Sequence, residues 1–131
     1  MSTPCPCNPE KHYADCCGRF HSGEARPERA EQLMRARYSA YALQKIDYLW
    51  QTHHPDQRPA SPEDLREWAE TTQFERLEVH SHSLGGPGDK IGKVHFSAHY
   101  LHAGQPGVIE EISRFRRWRG QWVYLDGQFV R

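Results

Sequence analysis

The four cysteines of this 131-residue chain all lie within its first seventeen residues. They are arranged as Cys5-Pro6-Cys7 and, eight residues later, Cys16-Cys17. Thiolates so close together are suited to bind one tetrahedral zinc ion, which takes four sulfur ligands in structural sites. Because four protein ligands leave no coordination position for water or substrate, the predicted Zn²⁺ site is structural and not catalytic.

Disulfide bonds or redox-active thiols are the alternative use of these cysteines, since four cysteines in a secreted chain would form a stapled framework. The first eight residues show no basic region followed by an apolar run, and no apolar segment has the length of a membrane span. We therefore expect a cytoplasmic protein without membrane insertion. Adjacent Cys16 and Cys17 also suit disulfide geometry poorly. His12 and His21 are spare nitrogen donors, but four thiols already complete the shell.

The cysteine spacing, from Cys5-Pro6-Cys7 to Cys16-Cys17-Gly18, resembles the SEC-C zinc motif known from the C-terminal tail of the SecA translocation motor. One departure is Asn8-Pro9-Glu10, where the motif has a Gly-Ser-Gly-like turn. Asn and Pro also form turns, so the departure is compatible with metal binding. The resemblance implies a protein partner among chaperones, translocation machinery or ribosome-associated factors.

The likeness continues beyond the cysteines and covers the whole chain. Segments that resemble the uncharacterised bacterial YchJ-like family are Phe20-His21-Ser22-Gly23-Glu24, Leu33 to Tyr41, Asp47-Tyr48-Leu49, His54-Pro55, Ser113-Arg114-Phe115 and Trp122 to Gly127. This resemblance implies a SEC-C-like zinc hook, residues 1–24, joined to a nuclear transport factor two-like domain, residues 25–131. In that fold a curved antiparallel sheet wraps around helices to form a cone.

Charge and composition restrict the classes of partner. Seventeen basic and seventeen acidic residues cancel, so no overall field attracts nucleic acid or an anionic membrane. Nucleic-acid binding is therefore disfavoured. The length suits one compact domain with a small zinc-binding appendage, and four Trp, six Tyr and five Phe supply an aromatic core.

Helical patterns occupy the first half of the domain. Apolar residues recur at helical spacing from Pro27, a favourable first helical residue, to about Lys45. A short second helix carries Tyr48, Leu49 and Trp50. The stretch Ser61-Pro62-Glu63-Asp64 has the residues of a helix start, which predicts a third helix with Leu65, Trp68 and Ala69 facing inward.

From Phe74 onward, apolar residues alternate with polar ones, which indicates half-buried strands. Turn residues at 85–88, 103–107 and 119–120 divide this half into four strands. The prediction is an α+β fold with three helices packed on a curved antiparallel sheet of about four strands.

A concave sheet over helices leaves room for a pocket with aromatic walls and a few polar groups. The candidate lining residues are Tyr38, Tyr41, Trp68, Phe96, Tyr100, Glu111, Ser113, Phe115, Trp122 and Tyr124. The strand at 108–118 carries apolar residues on both faces. We favour the orientation with Glu111, Ser113 and Phe115 inward, and a bulge near Arg116-Arg117 would reconcile the two patterns.

An inward Glu111 has three alternatives: pairing with Arg35 or Arg37, ligand binding, or acid–base catalysis. The ion pair is the simplest, because a buried charge needs a partner. Asp126-Gly127 is expected to form a turn.

Two further clusters have a surface interpretation and a binding one. His80 and His82 are expected to share one strand face, as are His95 and His99, and either pair is solvent-exposed or forms a second metal site. The other cluster, an exposed patch or a site for phosphate or acidic protein, consists of Arg114, Arg116, Arg117 and Arg119.

The leading functional prediction is a cytoplasmic adaptor whose hook recognises a protein partner and whose cone provides a second contact surface or a small-ligand pocket. The alternative is an isomerase or dehydratase, activities that the resembled cone fold hosts, with Glu111 as base and Tyr38 or Tyr41 as oxyanion donor. Similar cones pair through the outer sheet face, so a dimer is one option for the oligomeric state. An open cavity with an unpaired carboxylate would favour ligand binding or catalysis, and a filled cone with an arginine-paired Glu111 would favour the adaptor.

Overall fold

A computed structural model describes residues 3–130 and confirms the α+β architecture. The helices are α1 (Cys17–His21), α2 (Ala30–Ala42), α3 (Ile46–Gln51) and α4 (Pro62–Thr71), with 3₁₀ turns at Tyr13–Asp15 and Pro55–Gln57. The strands are β1 (Pro4–Cys5), β2 (Asn8–His12), β3 (Thr72–Leu84), β4 (Ile91–His102), β5 (Gln105–Trp118) and β6 (Gln121–Phe129). Strands β3 to β6 form an antiparallel meander, and β1 pairs with β2. Across the described residues, no helix combines the length and apolarity needed to cross a bilayer.

The helix predicted over residues 27–45 is α2, and it is three residues shorter at each end. At its start, the Gln32 side chain accepts hydrogen bonds from the backbone N–H groups of Glu28 and Arg29. These two residues therefore precede the helix as a cap instead of joining it. At its end, Gln44 has a φ of 58°, and this left-handed conformation cannot continue a right-handed helix.

Helix α2 is buried on two sides. Leu33 and Met34 pack against the sheet, in a cluster with Val94 and Phe115. On another side, fully buried Ala36 packs against cysteines of the hook. The hook is joined to this helix through α1, which packs on α2.

The predicted start of α4 is confirmed. The Ser61 hydroxyl accepts a hydrogen bond from the Glu63 backbone N–H at 3.2 Å, and a proline occupies the first turn. Leu65 and Ala69 are buried against α3, where Leu49 is fully enclosed.

Two of the sheet turns contain two residues each. Ala103 and Gly104 have positive φ, and so do Arg119 and Gly120, as in the tight turns that match the twist of antiparallel strands. The turn predicted at 103–107 is therefore shorter than expected, because β5 already begins at its third residue.

Bulges set the orientation of the strands, but not where the sequence predicts them. Strand β5 alternates without a bulge at 116–117, and its second apolar set, which includes Val108, lies on the other sheet face. The register shift lies between Arg114 and Phe115, opposite an extra residue, Leu125, on β6. Ser113 and Phe115 are buried inward, as the favoured orientation requires.

A second bulge corrects the histidine prediction. Strand β3 has an extra residue between Val79 and Ser81, so His80 has no paired residue on β4. Because one extra residue reverses the alternation of faces, His82 lies on the α2 side, with its Nδ1 3.4 Å from Glu31. His80 and His82 therefore do not share a face.

Candidate metal centre and cone cavity

The four cysteine sulfurs form one compact cluster. Cys7 Sγ lies 3.6 Å from the sulfurs of Cys5, Cys16 and Cys17, and all four atoms are within 4.8 Å of one another. Sulfurs at 2.3 Å from a tetrahedral ion would be about 3.8 Å apart, whereas a disulfide needs about 2.05 Å. All four thiols are free. The geometry suits a metal ion and does not match the disulfide alternative.

The pKa shifts of the clustered thiols also favour a bound cation. Hydrogen bonding with Cys17 and Cys7 lowers the pKa of Cys5. Hydrogen bonding to Cys5 and Cys7, together with burial, raises the pKa of Cys17. Ionisation of Cys5 is therefore favoured while ionisation of Cys17 is opposed, and a bound divalent cation would offset the repulsion among four thiolates.

The spare histidines do not join the sulfur set. His21 shares a 2.6 Å hydrogen bond between its Nδ1 and the Tyr13 hydroxyl, and its Nε2 lies 2.8 Å from the Ala36 carbonyl oxygen. Both ring nitrogens are thus engaged, and His21 ties α1 to α2. His12 is exposed and lies outside the cluster of four cysteines.

The hook is docked on α2. Cys5 Sγ lies 3.6 Å from the Ser39 hydroxyl, and the Arg35 guanidinium donates to the Cys7 carbonyl oxygen at 3.4 Å. Arg35 also pairs with Glu31 at 3.1 Å. The expected pairing of Arg35 with Glu111 is therefore wrong, because this arginine faces the hook.

A cavity of about 480 Å³ lies between the helices and the concave face of the sheet. Eight of the ten predicted lining residues surround it: Tyr38, Tyr41, Trp68, Phe96, Glu111, Ser113, Phe115 and Tyr124. The remaining wall is formed by Met34, Arg37, His53, Phe74, Ala98, Ile109 and Phe129. The cavity is thus mainly aromatic, with a few polar side chains.

Glu111 is the buried carboxylate of this cavity, and only 9% of its surface is exposed. Its Oε2 accepts hydrogen bonds from the hydroxyls of Ser113 and Tyr124, the latter at 3.3 Å. Within the described residues, the tyrosine hydroxyl bonded to Glu111 is thus that of Tyr124, and not that of Tyr38 or Tyr41.

Within residues 3–130, Glu111 forms no salt bridge with a basic side chain. Arg37 lines the same cavity, but it donates to the Leu49 carbonyl oxygen and the Thr52 hydroxyl, both at 2.8 Å. Its guanidinium also lies 4.8 Å from the centre of the Tyr124 ring. The expected Arg37–Glu111 ion pair is therefore wrong, because backbone and hydroxyl oxygens hold the guanidinium.

Gly127 keeps space open for this carboxylate. It pairs with Ser113 in the strand ladder, and a Cβ at this position would overlap the Glu111 carboxylate. Asp126 and Gly127 belong to β6. The turn predicted for them is wrong, because the strand continues to residue 129.

His53 is the second polar group of the cavity wall. It is 9% exposed, and its Nδ1 has no hydrogen-bond partner among residues 3–130. Burial, reinforced by the charges of Arg37 and Arg58, lowers the pKa of His53 to about 4. The ring is therefore neutral at neutral pH, with an unused buried nitrogen. Sequence reasoning missed His53, whose only signal is its position between a helix and Pro55.

The comparisons with known proteins agree with this arrangement. The family model described as the YchJ middle NTF2-like domain matches residues 29–127. The chain belongs to the YchJ-like family. A UPF0225 protein of Geobacter sulfurreducens is 38% identical over 132 residues, covering all of this chain and 82% of that one. A UPF0225 protein of Streptomyces coelicolor is 42% identical, covering 97% of this chain and 96% of that one.

Solved structures share the fold of this YchJ-like chain. The solution structure of a SEC-C motif containing protein from Rhodopseudomonas palustris has a TM-score of 0.86 and 34% identity, covering 98% of this chain and 100% of that one. The crystal structure of a SEC-C motif containing protein from Psychrobacter arcticus has a TM-score of 0.78 and 29% identity, with 96% and 81% covered. The predicted family and the combination of hook and cone are confirmed.

Two predicted lining residues of the YchJ-like cone lie elsewhere. The Tyr100 ring packs edge-on against Trp68, with centroids 5.6 Å apart, so it stands behind the wall. The Trp122 indole N–H donates to the Glu28 carbonyl oxygen at 3.0 Å, and Arg117 stacks over its ring. These contacts hold Tyr100 and Trp122 outside the cavity.

The predicted arginine patch is largely committed to contacts within the chain. Arg114 Nε donates to Asp126 at 2.6 Å, which lowers the pKa of that carboxyl. Arg117 donates to carbonyl oxygens in the turn before β4. Arg119 stacks over Trp118. This pattern fits the surface interpretation of the patch.

Proposed function

We propose that the cone cavity binds a small, mainly apolar molecule that presents a hydrogen-bond donor or a positive charge to Glu111. The observation that carries this proposal is a buried carboxylate in a cavity of about 480 Å³ with no cationic partner among the described residues. Ligand cavities fall in the range of about 300–1,000 Å³ and combine apolar walls with a few polar anchors. A buried charge is costly without a partner, and a ligand would supply one.

The polar groups favour a donor over an anion. Glu111 accepts hydrogen bonds, and the neutral His53 has an unused Nδ1 that also accepts. Two acceptors in the lining match an ammonium, amine or hydroxyl group. A carboxylate or phosphate ligand would instead meet the Glu111 carboxylate at short range, and the Arg37 guanidinium of the same wall already bonds to the Leu49 carbonyl and the Thr52 hydroxyl. Aromatic rings such as Phe96 and Phe115 match an apolar, ring-sized body.

In the hook, we assign the metal as Zn²⁺, held by Cys5, Cys7, Cys16 and Cys17. Zinc bound by four thiolates supplies structural cross-linking and no reactive position. It would hold the β1–β2 hairpin and α1 against α2, beside the cavity wall. Four free thiols also need a reducing compartment, which supports a cytoplasmic location.

Catalysis is a second use of the same cavity. Glu111 would act as the base and the Tyr124 hydroxyl, already bonded to it, as the proton donor of an isomerase or dehydratase. This assignment replaces Tyr38 and Tyr41, whose hydroxyls are not bonded to Glu111 in the described structure. A bound ligand that is converted over time would separate this candidate from simple binding.

Partner recognition by the hook is a further candidate, supported by the exposure of residues 9–12 on β2. Replacing cysteines would unfold the hook, so the sharper test reverses the exposed charges of Glu10 and Lys11 and leaves the metal set intact. The intact and charge-reversed chains would be compared as baits against purified SecA, ribosomes and cytosolic chaperones. Loss of one specific partner in the reversed chain would support recognition, and binding to none of the three by the intact chain would exclude the expected partners.

Ligand binding is tested with three probes of one ring size: benzylamine, benzyl alcohol and benzoate. Saturation-transfer NMR should detect binding of benzylamine and benzyl alcohol and much weaker binding of benzoate. Glu111→Gln should remove the preference for the amine. Ile109→Trp should block all three, because residue 109 lines the cavity, whereas Val108→Trp on the opposite sheet face should not. Transfer to none of the probes, or equal transfer with both tryptophan variants, would refute the proposal.

A further inference from the structure

Three metal-ligating side chains meet on the outer face of the sheet, away from the hook and the cavity. They come from three adjacent strands: His80 on β3, His95 on β4 and Glu110 on β5. Their candidate ligand atoms all lie within 4.8 Å of one another. The His80 and His95 rings are 4.7 Å apart between centroids.

His80 is the unpaired residue of the bulge in β3. It follows Val79, which packs on the core side of the sheet, so alternation directs the His80 ring to the outer face. There it lies beside the Ser97 hydroxyl and the His95 ring. The bulge reverses the alternation after His80, which keeps His82 on the opposite face and out of the cluster.

Hydrogen bonds hold the side chains of this cluster in place. His95 Nε2 lies 2.7 Å from Glu110 Oε2, and His80 Nε2 lies 2.7 Å from the Ser97 hydroxyl. The side chains of His95 and Glu110 are 29% and 18% exposed, so the cluster is partly shielded and remains accessible to a solvated ion. A bound cation would take the place of the proton shared by His95 and Glu110.

We propose that His80, His95 and Glu110 form a second metal site, which binds a first-row divalent cation such as Zn²⁺. Two imidazoles and one carboxylate are a recurrent donor set for zinc, with the fourth position left to water. This site differs from the hook in composition, because it has nitrogen and oxygen donors and no sulfur. It also differs in coordination, because three protein ligands leave an open position.

The neighbouring pair His99–Glu78 provides a matched control. His99 Nε2 lies 2.5 Å from Glu78 Oε1, and His99 shares strand β4 and the outer face with His95. The cluster of three ligand groups does not include His99. Loss of a histidine–carboxylate contact at this second position should leave metal binding unchanged.

The experiment is a calorimetric titration of the full chain, carrying one hook-bound zinc ion, with zinc chloride. We expect a second equivalent with micromolar affinity or tighter. His80→Ala, His95→Ala and Glu110→Gln should each weaken it more than about tenfold, whereas His99→Ala should not. Cobalt(II) at this site should give a spectrum without a sulfur-to-metal charge-transfer band. Circular dichroism would establish that each variant is folded.

Three results would overturn the proposal. The first is a wild-type chain that takes up no second equivalent at micromolar zinc. The second is a second equivalent that survives in both His80→Ala and His95→Ala. The third is an equal loss in His99→Ala, which would indicate unspecific binding to surface histidines. None of these results depends on a ligand in the cavity, so the two proposals fail independently.

Discussion

Buried polar atoms of the hook and of the cone cavity have different kinds of partner. In the hook, every cysteine sulfur has another sulfur 3.6 Å away, and Cys5, Cys7 and Cys17 are almost fully enclosed. In the cavity, the Glu111 carboxylate has only hydroxyl partners within the described residues, and His53 Nδ1 has none. The four sulfurs of the hook already contact one another and need only a metal ion as a further partner. The polar atoms of the cavity keep hydrogen-bonding capacity that no described residue uses, and a bound ligand requires such capacity.

The largest expected effect comes from removing one sulfur of the hook. Cys17→Ser removes a sulfur that is 1% exposed and touches Cys7. We expect a loss of more than about 4 kcal/mol in the free energy of unfolding, because the metal and its folding energy are lost together. Chemical denaturation with parallel zinc analysis measures both. Ala14→Ser, at an exposed position in the 3₁₀ turn between the two cysteine pairs, should change neither. A Cys17→Ser chain of wild-type stability would mean that the sulfur cluster does not organise the hook.

Adding a methyl group next to the Glu111 carboxylate should have a smaller effect. Gly127→Ala places a methyl group where the Glu111 carboxylate lies, so we expect a loss of about 1–3 kcal/mol from overpacking. Gly88→Ala is the matched control, because a Cβ there meets no atom within 4 Å. In a Glu111→Ala background, the cost of Gly127→Ala should shrink, as a double-mutant cycle would show. If Gly127→Ala costs the same free energy of unfolding in the wild-type and Glu111→Ala chains, the added methyl group clashes with atoms other than the Glu111 carboxylate.

The neutral imidazole makes the stability of the cavity region depend on pH. His53 has a folded-state pKa of about 4, against an ordinary value of 6.5. Between these values the unfolded chain binds a proton that the folded chain does not, so stability present above pH 6.5 is lost as the pH falls toward 4. The loss should be roughly 1–3 kcal/mol.

The measurement is the difference in unfolding free energy between the wild type and His53→Leu across this range. Taking the difference removes the effect of acid on the cysteine site, which both chains share. His12→Leu, at an exposed position, should keep the wild-type profile. Parallel curves for the wild type and His53→Leu would show that His53 is not buried in its neutral form.

The smallest effect should come from one hydroxyl. Tyr124→Phe removes the 3.3 Å hydrogen bond to Glu111 and leaves the ring in place. We expect a loss of about 1 kcal/mol, measured by denaturation, and none for Tyr41→Phe, which lines the same cavity. A larger stability loss for Tyr124→Phe than for Gly127→Ala would show that the hydrogen bond to Glu111 matters more for stability than the space beside its carboxylate.

Local signals made much of the fold predictable. The Ser61-Pro62 helix start and the alternation of Glu111, Ser113 and Phe115 depend on residues close in sequence, and both predictions are confirmed. Ends of elements were less predictable. The Gln32 cap and the left-handed Gln44 that limit α2 do not change its apolar period.

The remaining features depend on contacts between distant segments. The bulge at His80 exists only relative to β4, so alternation within β3 cannot reveal it. His53 reaches the cavity because the backbone of Tyr124 bonds to both neighbours of this histidine, Thr52 and His54. The docking of the hook uses Ala36 and Ser39, which are small residues without an amphipathic signal.

Helix α2 carries Ala36 and Tyr38 against the hook cysteines, and Tyr38 also lines the cavity. The stretch of sequence that the family model spans, residues 29–127, therefore ends inside a shared core. A chain trimmed to that stretch would expose this helix surface to water, and we expect it to associate or to loosen around the cavity. The family model therefore marks the stretch of sequence shared with relatives, and we expect the smallest unit that folds by itself to include the cysteine segment as well.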